Sequence, residues 1–299
     1  MAKTILIFII ASVSIFAQSA GNSGLAFLKM GFGARNIAMG DAGAAAANDV
    51  TALFYNPARL SGQTGNEILL MHNEWIQGVK SEILGIRTTV WSLPLAFGFD
   101  VTSINDIQVR TIASAEPIST FNANYFFGSV STGFNIYDNV SAGVTARYLY
   151  EGLYTDEAAG WGFDFGFNYD SPVQGLTASA VIKNLGTMSK LKNEKTKLPS
   201  ELRIGPAYNF NFYGDKFSIT AAAEFQKYLP TNDSHLNLGI ELLYDRLIAL
   251  RGGYQSGYQT KGFTGGFGLM WGKFDLDYAF QPFSLGLGNA NMFSIQFKF

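Results

Sequence analysis

The sequence has no cysteine and only two histidines, and only 15% of its residues are charged. Without cysteine there is no disulfide framework, thiol nucleophile or thiolate metal site. The two histidines, His72 and His235, lie far apart in the chain, with no serine or aspartate at a spacing that would build a nucleophilic site. There is no HExxH zinc motif and no GxxxxGK[ST] phosphate loop. Neither an enzyme nor a cofactor or metal site is expected. The net charge of −2 gives no basic footprint for nucleic acid. Beyond the first 17 residues, no apolar run approaches the ~20 residues that a membrane-spanning helix requires.

Gly and aromatic residues are abundant instead: 33 Gly, 26 Phe, 14 Tyr and 4 Trp in 299 residues. Ordinary soluble domains carry about 25% charged residues. A chain that is poor in charge, rich in Gly and aromatics and free of helical spans fits a transmembrane β-barrel. At the start, Lys3 precedes the apolar stretch Ile5–Phe16, and Ala17 is a small residue before Gln18. This pattern reads as a secretory signal peptide over residues 1–17, and the stretch is too short to span a bilayer. Export without a lipid-modified cysteine points to a bacterial envelope protein, and the barrel reading places it in the outer membrane, with lipid as the surrounding partner.

From residue 66 to 299, period-2 segments recur, as expected when lipid-facing and lumen-facing side chains alternate. Fourteen are counted, from Glu67–Trp75 to Asn291–Phe299. The alternation is plain in Gly160–Tyr169, whose outward set is Trp161, Phe163, Phe165, Phe167 and Tyr169. The links between segments alternate short and long. Asp138-Asn139 and Gly272-Lys273 are among the short ones, and Asn105–Thr120, Glu151–Ala159 and Gln281–Ala290 are among the long ones. Aromatics mark the short-link side: Trp91, Tyr137, Tyr169, Phe212, Tyr244, Trp271 and Phe299, as rings do at a bilayer interface. The terminal Phe299 is also assigned as the C-terminal barrel-assembly signal. The fold class is therefore an all-β, transmembrane antiparallel barrel of about fourteen strands.

Such a barrel has a lumen too wide for wall side chains alone to fill. The segment over residues 18–65 is assigned to fill it as an N-terminal plug, or hatch. Its stretch 31–62 does not alternate, has Ala44–Ala47 in a row, and carries a polar turn at Asn48-Asp49 followed by Asn56-Pro57-Ala58. The polar faces of the strands supply mixed inward charges. The cations are Arg87, Arg147, Lys183, Arg203, Arg251 and Lys298. The anions are Asp100, Asp164, Glu201, Glu224, Glu241, Asp275 and Asp277. Their balance favours pairing with one another or with the plug over a single-sign ion pore. The glycines of 262–268 read as strand positions where a neighbour or the plug comes close, not as a phosphate loop. Asp156-Glu157 and Asn232-Asp233 read as solvated outer loops.

Several motifs in order resemble those of the PorV/PorQ family, which is related to the FadL channels for hydrophobic compounds. They are Ala26–Arg35 (AFLKMGFGAR), Ala38–Ala42, Asn48-Asp49, Phe54–Ala58 (FYNPA), YLYEGLY at 148–154, GWGFD at 160–164, VIKNLG at 181–186 and ALRGGY at 249–254. The likeness covers essentially the whole chain after the signal peptide. It implies a fourteen-stranded barrel with Asn56, Pro57 and Ala58 as the hatch motif. It also implies that Gly33, Ala34, Arg35, Met39 and Gly40 form the turn that folds the hatch back. Arg59 stands where Gly is usual in the family. The resemblance further implies a component of the type IX secretion system that binds the translocon and secreted cargo, with Leu285-Gly286-Leu287 and Tyr258 as exposed apolar loop tips. The alternative is a FadL-like channel for a small hydrophobic ligand.

Overall fold

The computed structural model describes residues 24–214 and 216–299. The signal peptide assigned to residues 1–17 therefore lies outside the described residues. Fourteen strands close into one antiparallel barrel. They are β1 (Glu67–Glu74), β2 (Val79–Val90), β3 (Leu93–Val109), β4 (Ser119–Tyr137), β5 (Val140–Leu153), β6 (Asp156–Asp170) and β7 (Leu176–Met188), then β10 (Glu201–Phe212), β11 (Phe217–Tyr228), β12 (Ser234–Tyr244), β13 (Ile248–Ser256), β14 (Phe263–Trp271), β15 (Phe274–Phe283) and β16 (Gly288–Lys298). Two short strands, β8 (Lys190–Leu191) and β9 (Glu194–Lys195), form a separate hairpin between β7 and β10. The seam joins β1 to β16, with Glu67 opposite Lys298 and Glu74 opposite Asn291. Every barrel strand then has two partners, as lipid requires, because an open edge would leave backbone groups unsatisfied.

The alternation turns apolar side chains outward. Trp161, Phe163, Phe165, Phe167 and Tyr169 are exposed on β6, while Asp164 and Asn168 between them are buried. Trp91, 97% exposed, sits at a short turn, and Tyr137, Tyr169, Tyr244, Trp271 and Phe299 are exposed at the same rim. Because Ile240 projects from mid-β12 into this apolar belt, Ile240→Arg should cost about 2–4 kcal/mol. The measurement is reversible denaturant unfolding in lipid vesicles, with Ile240→Val as the near-neutral comparison. A neutral arginine would place this face in water.

Several strands run further at the long-loop end than alternation predicts. The expected loop Glu151–Ala159 is a tight hairpin, with Leu153 paired to Asp156 and Gly152 to Glu157. Asp156 and Glu157 therefore lie in a strand and not on a loop. Likewise β3 and β4 continue to Val109 and from Ser119, leaving residues 110–118 as the link. Above the apolar belt both faces of a strand meet water, so the hydrophobic period fades while the ladder of hydrogen bonds continues.

Residues 24–65 run through the lumen as short pieces: a 3-10 turn at Ala26–Lys29, α1 (Ala34–Ala38), α2 (Ala52–Tyr55) and a 3-10 turn at Pro57–Leu60. No described helix is long and apolar enough to cross a membrane. The expected turn over Gly33, Ala34, Arg35, Met39 and Gly40 is a one-turn helix, α1, flanked by Gly33 and Gly40 at positive φ. Ala34 and Ala38 are good helix formers and carry it between those glycines. The polar pair at 48–49 forms a turn: Asp49 Oδ1 accepts from the Thr51 N–H, 2.8 Å away, just before α2. Asn56 and Pro57 set the last turn. Pro57 takes a first helical position, where its missing N–H is no loss, and Asn56 Oδ1 accepts from the Ala58 N–H at 3.1 Å.

Candidate functional site

The hatch meets the wall through glycines, charge clusters and an aromatic box. The wall glycines come first because they decide how closely the two backbones approach. A Cβ added at Gly143 would lie 2.3 Å from the Ala58 nitrogen, and one at Gly166 1.9 Å from Asn56 Oδ1. At Gly253 it would lie 2.1 Å from the Gly40 nitrogen. In the 262–268 stretch, a Cβ at Gly266 would lie 2.6 Å from Ala38 Cβ. Strand glycines therefore mark the seat of the hatch. Asn56 spans it, donating from Nδ2 to Ala44 O and to Phe167 O of β6, both at 3.1 Å. Ser141 on β5 donates to Ala58 O. Arg59, just after the bend, reaches Ala47 O and lies 3.7 Å from Asp170.

The largest charge cluster centres on Arg203 of β10. Its guanidinium contacts Asp41 of the hatch at 3.2 Å, Glu201 at 3.1 Å and Glu224 at 3.0 Å. Lys183 lies 3.2 Å from Glu201. Glu224 also accepts from the Ala44 N–H at 2.7 Å. Tyr55 donates its hydroxyl to Asp41 and accepts from the Phe32 N–H. Burial, reinforced by Asp41, pushes the Tyr55 phenol well above its ordinary pKa, so it remains a donor.

A second cluster joins Arg35 of α1 to Glu241 through two bonds of 2.9 and 2.8 Å. Arg251 bridges Glu241 and Asp277, each at 2.6 Å. Burial opposes the Arg35 charge, but Glu241 outweighs it and raises the Arg35 pKa overall. Asn48 also accepts from Arg35 at 3.1 Å. Arg87 pairs with Glu67 at 3.0 Å, and Glu67 accepts from the Val50 N–H of the hatch. Arg147 pairs with Asp164 at 2.8 Å, and Lys298 bonds Asp275. Asp100 is different, with one oxygen unpartnered. Beneath the hatch, toward the short-turn rim, a polar vestibule of about 500 Å³ is lined by Arg35, Glu241, Asp277 and Lys298 among others.

Met39 and Gly40 pack against β12 and β13, and the Gly40 N–H donates to Thr264 at 3.0 Å. The Gly33 N–H points at Met71 S, and the Ala34 N–H at Ser294 Oγ. The sequence reading missed Asp41 and Glu67 as ion-pair partners, and Tyr55 and Phe27 as lumen side chains. Tyr258, expected as an exposed loop tip, turns inward instead. It stacks on His235 with ring centroids 3.6 Å apart and donates to Gln226. The polar lumen behind it satisfies its hydroxyl, which an apolar tip in water would not need.

The third component lies on the long-loop side of the hatch. Phe27 stacks on Tyr125 with centroids 5.4 Å apart, and Phe32 stacks on Phe54 at 4.6 Å. Phe127 lies against Phe27, Phe32 and Phe54. Leu149, Met188 and Met292 are buried in the same cluster.

These features define a transmembrane β-barrel closed by an internal hatch. No family model and no curated protein matches the chain in sequence. Solved structures do share its architecture. The Ralstonia pickettii toluene transporter TbuX superposes with a TM-score of 0.61 at 16% identity, over 90% of this chain and 98% of that one. The CymD monoaromatic hydrocarbon channel gives 0.62 at 13% identity, over 90% and 98%. A Pseudomonas aeruginosa FadL homologue gives 0.54 at 12% identity, over 89% and 97%. At such identities the likeness establishes the fold, which is that of the FadL-type barrels.

Proposed function

We propose that the chain is a bacterial outer-membrane channel for small apolar compounds, held shut by its hatch, with no catalytic role. The carrying observation is the aromatic box of Phe27, Phe32 and Phe54 from the hatch with Tyr125 and Phe127 from the wall. A pore for water-soluble solutes would line that region with polar groups. The fold it shares with proteins described as a toluene transporter and a monoaromatic hydrocarbon channel supports the same reading. In this reading the short turns face the periplasm and the longer loops face outward. The test is toluene uptake by intact cells that lack other hydrocarbon channels. Expression of the protein should raise the initial rate several-fold, and Phe127→Arg should abolish the gain. An unchanged rate on expression would reject the channel.

A second reading, a PorV/PorQ-like partner in type IX secretion, draws on the loop tips. Leu285 is 80% exposed between β15 and β16, and Ile112 and Ile118 are exposed on the 110–118 link. Exposed apolar tips suit a protein partner. Deleting the gene and inspecting the culture medium separates the two readings: retention of cargo bearing C-terminal signal domains selects secretion, and normal export rejects it.

A further inference from the structure

We infer that the lumen recognises a hydroxyl group on an aromatic ligand, through a polar row that crosses β1, β2 and β3 beside the aromatic box. The inference rests on the channel reading above and narrows its substrate class from apolar compounds in general to hydroxylated single-ring aromatics.

Asn73 of β1 stands opposite Ser81 of β2, and Ser81 stands opposite Thr102 of β3. All three side chains point into the lumen and are buried. Ser81 Oγ and Thr102 Oγ1 are 2.7 Å apart, and Thr102 donates to Asp100 Oδ1 at 2.6 Å. Since Thr102 spends its proton on Asp100, Ser81 is the donor in the first bond. The hydroxyl chain therefore runs one way, toward Asp100, and stops there. Asp100 is 1% exposed, and its Oδ2 has no partner. At the other end Asn73 is 0% exposed, with both its amide nitrogen and its amide oxygen unpartnered. The inward cations have carboxylates of their own: Arg87 has Glu67 and Arg147 has Asp164. Buried polar groups without partners are uncommon and costly, about 1–3 kcal/mol each. At the Asp100 end, the row is left for a ligand group to complete.

The chemistry of the surroundings selects that ligand. Thr102 is opposite Tyr125 and Asp100 is opposite Phe127 in the β3–β4 ladder. Tyr125 and Phe127 are the two rings that Phe27 covers, at 5.4 and 6.1 Å. Phe27 belongs to a four-residue 3-10 turn near the start of the described chain. An aromatic ring that takes the place of Phe27 rests on Phe127, the ladder neighbour of Asp100. The unpartnered oxygen of Asp100 calls for a polar partner, which toluene lacks. A hydroxyl both donates and accepts, so it completes that carboxyl whether or not the free oxygen carries a proton.

The test uses the full-length protein in lipid nanodiscs and follows tryptophan fluorescence, to which Trp75 at the edge of the aromatic cluster contributes. Toluene and p-cresol are the probes, since they differ by one hydroxyl. Wild type should bind p-cresol about tenfold more tightly, as one added hydrogen bond in a buried site allows. Asp100→Leu should bring the ratio toward one, and Asp100→Asn should leave it between. Barrel folding is checked for each variant by its heat-dependent gel mobility. If Asp100→Leu does not fold, Asp100→Asn decides. Equal affinity for both probes in wild type, or an unchanged ratio in the folded variants, overturns this inference and leaves the channel standing. Saturable binding of neither probe removes both.

Discussion

Replacing Arg203 by methionine should loosen the hatch and cost the folded protein about 3–5 kcal/mol, the usual penalty for stripping one partner from a buried ion cluster. Arg203 is the shared partner of Asp41, Glu201 and Glu224, and all three carboxylates are buried. Without it, Glu201 retains Lys183, Asp41 retains the Tyr55 hydroxyl and Glu224 retains one backbone N–H. Two buried carboxylates would then have no cation in contact. Lysine at 203 should rescue only part of the loss, because an ammonium cannot reach three carboxylates as a planar fork does. Removing one negative charge along with the cation, as in Asp41→Asn with Arg203→Met, should recover stability relative to the single variant. The measurements are the denaturant midpoint in vesicles and the rate at which added protease cuts residues 24–65. If Arg203→Met unfolds at the wild-type midpoint and its hatch stays protected, the cluster does not hold the hatch.

The same cluster shows where sequence reading succeeds and where it stops. Arg203, Glu201 and Glu224 were legible because the strands β10 and β11 keep Leu, Ile and Phe on one face only, so parity alone assigns the other face to the lumen. Fourteen strands and the short-turn rim followed from the same parity, and the structure has both. Strand β1 defeated the method. Ile68, Leu69, Leu70 and Met71 are apolar on both faces, because the inner face of β1 packs on the hatch and not on water. Parity has no contrast there, and Glu67 and Asn73 went unassigned as lumen residues. Asp41 was invisible for a related reason. A segment without periodicity gives no rule for which side chain meets which strand, so its partner 162 positions away appears only in three dimensions. The aromatic box was hidden likewise, since Phe27 and Phe32 come from the hatch and Tyr125 and Phe127 from β4.

Charge pairs hold the hatch, but glycines give it room, and the second large effect comes from removing that room. Gly143→Val together with Gly253→Val should expel the hatch while leaving the barrel closed. At Gly143 the new Cβ would meet the backbone of Pro57 and Ala58, and at Gly253 that of Met39 and Gly40. Backbone cannot rotate aside as a flexible side chain can, so the hatch must shift as a body. The two sites seat different parts of it, the Asn56-Pro57-Ala58 bend and the end of α1, so one local adjustment cannot accommodate both. The strands themselves have no reason to open. Gly143 and Gly253 sit in regular ladders opposite Gly166 and Gly239, and valine is a favoured strand residue. In planar bilayers the wild type should give no stable conductance steps, because hatch and paired charges fill the lumen. The double variant should give steady, porin-like steps and retain the gel mobility of a folded barrel. Gly252→Ala, in β13 where the nearest atom to an added Cβ is 4.0 Å away, should remain closed. A closed and folded double variant would mean that the hatch yields at these points without leaving, and that its hold resides in the ion clusters around Arg203 and Arg35.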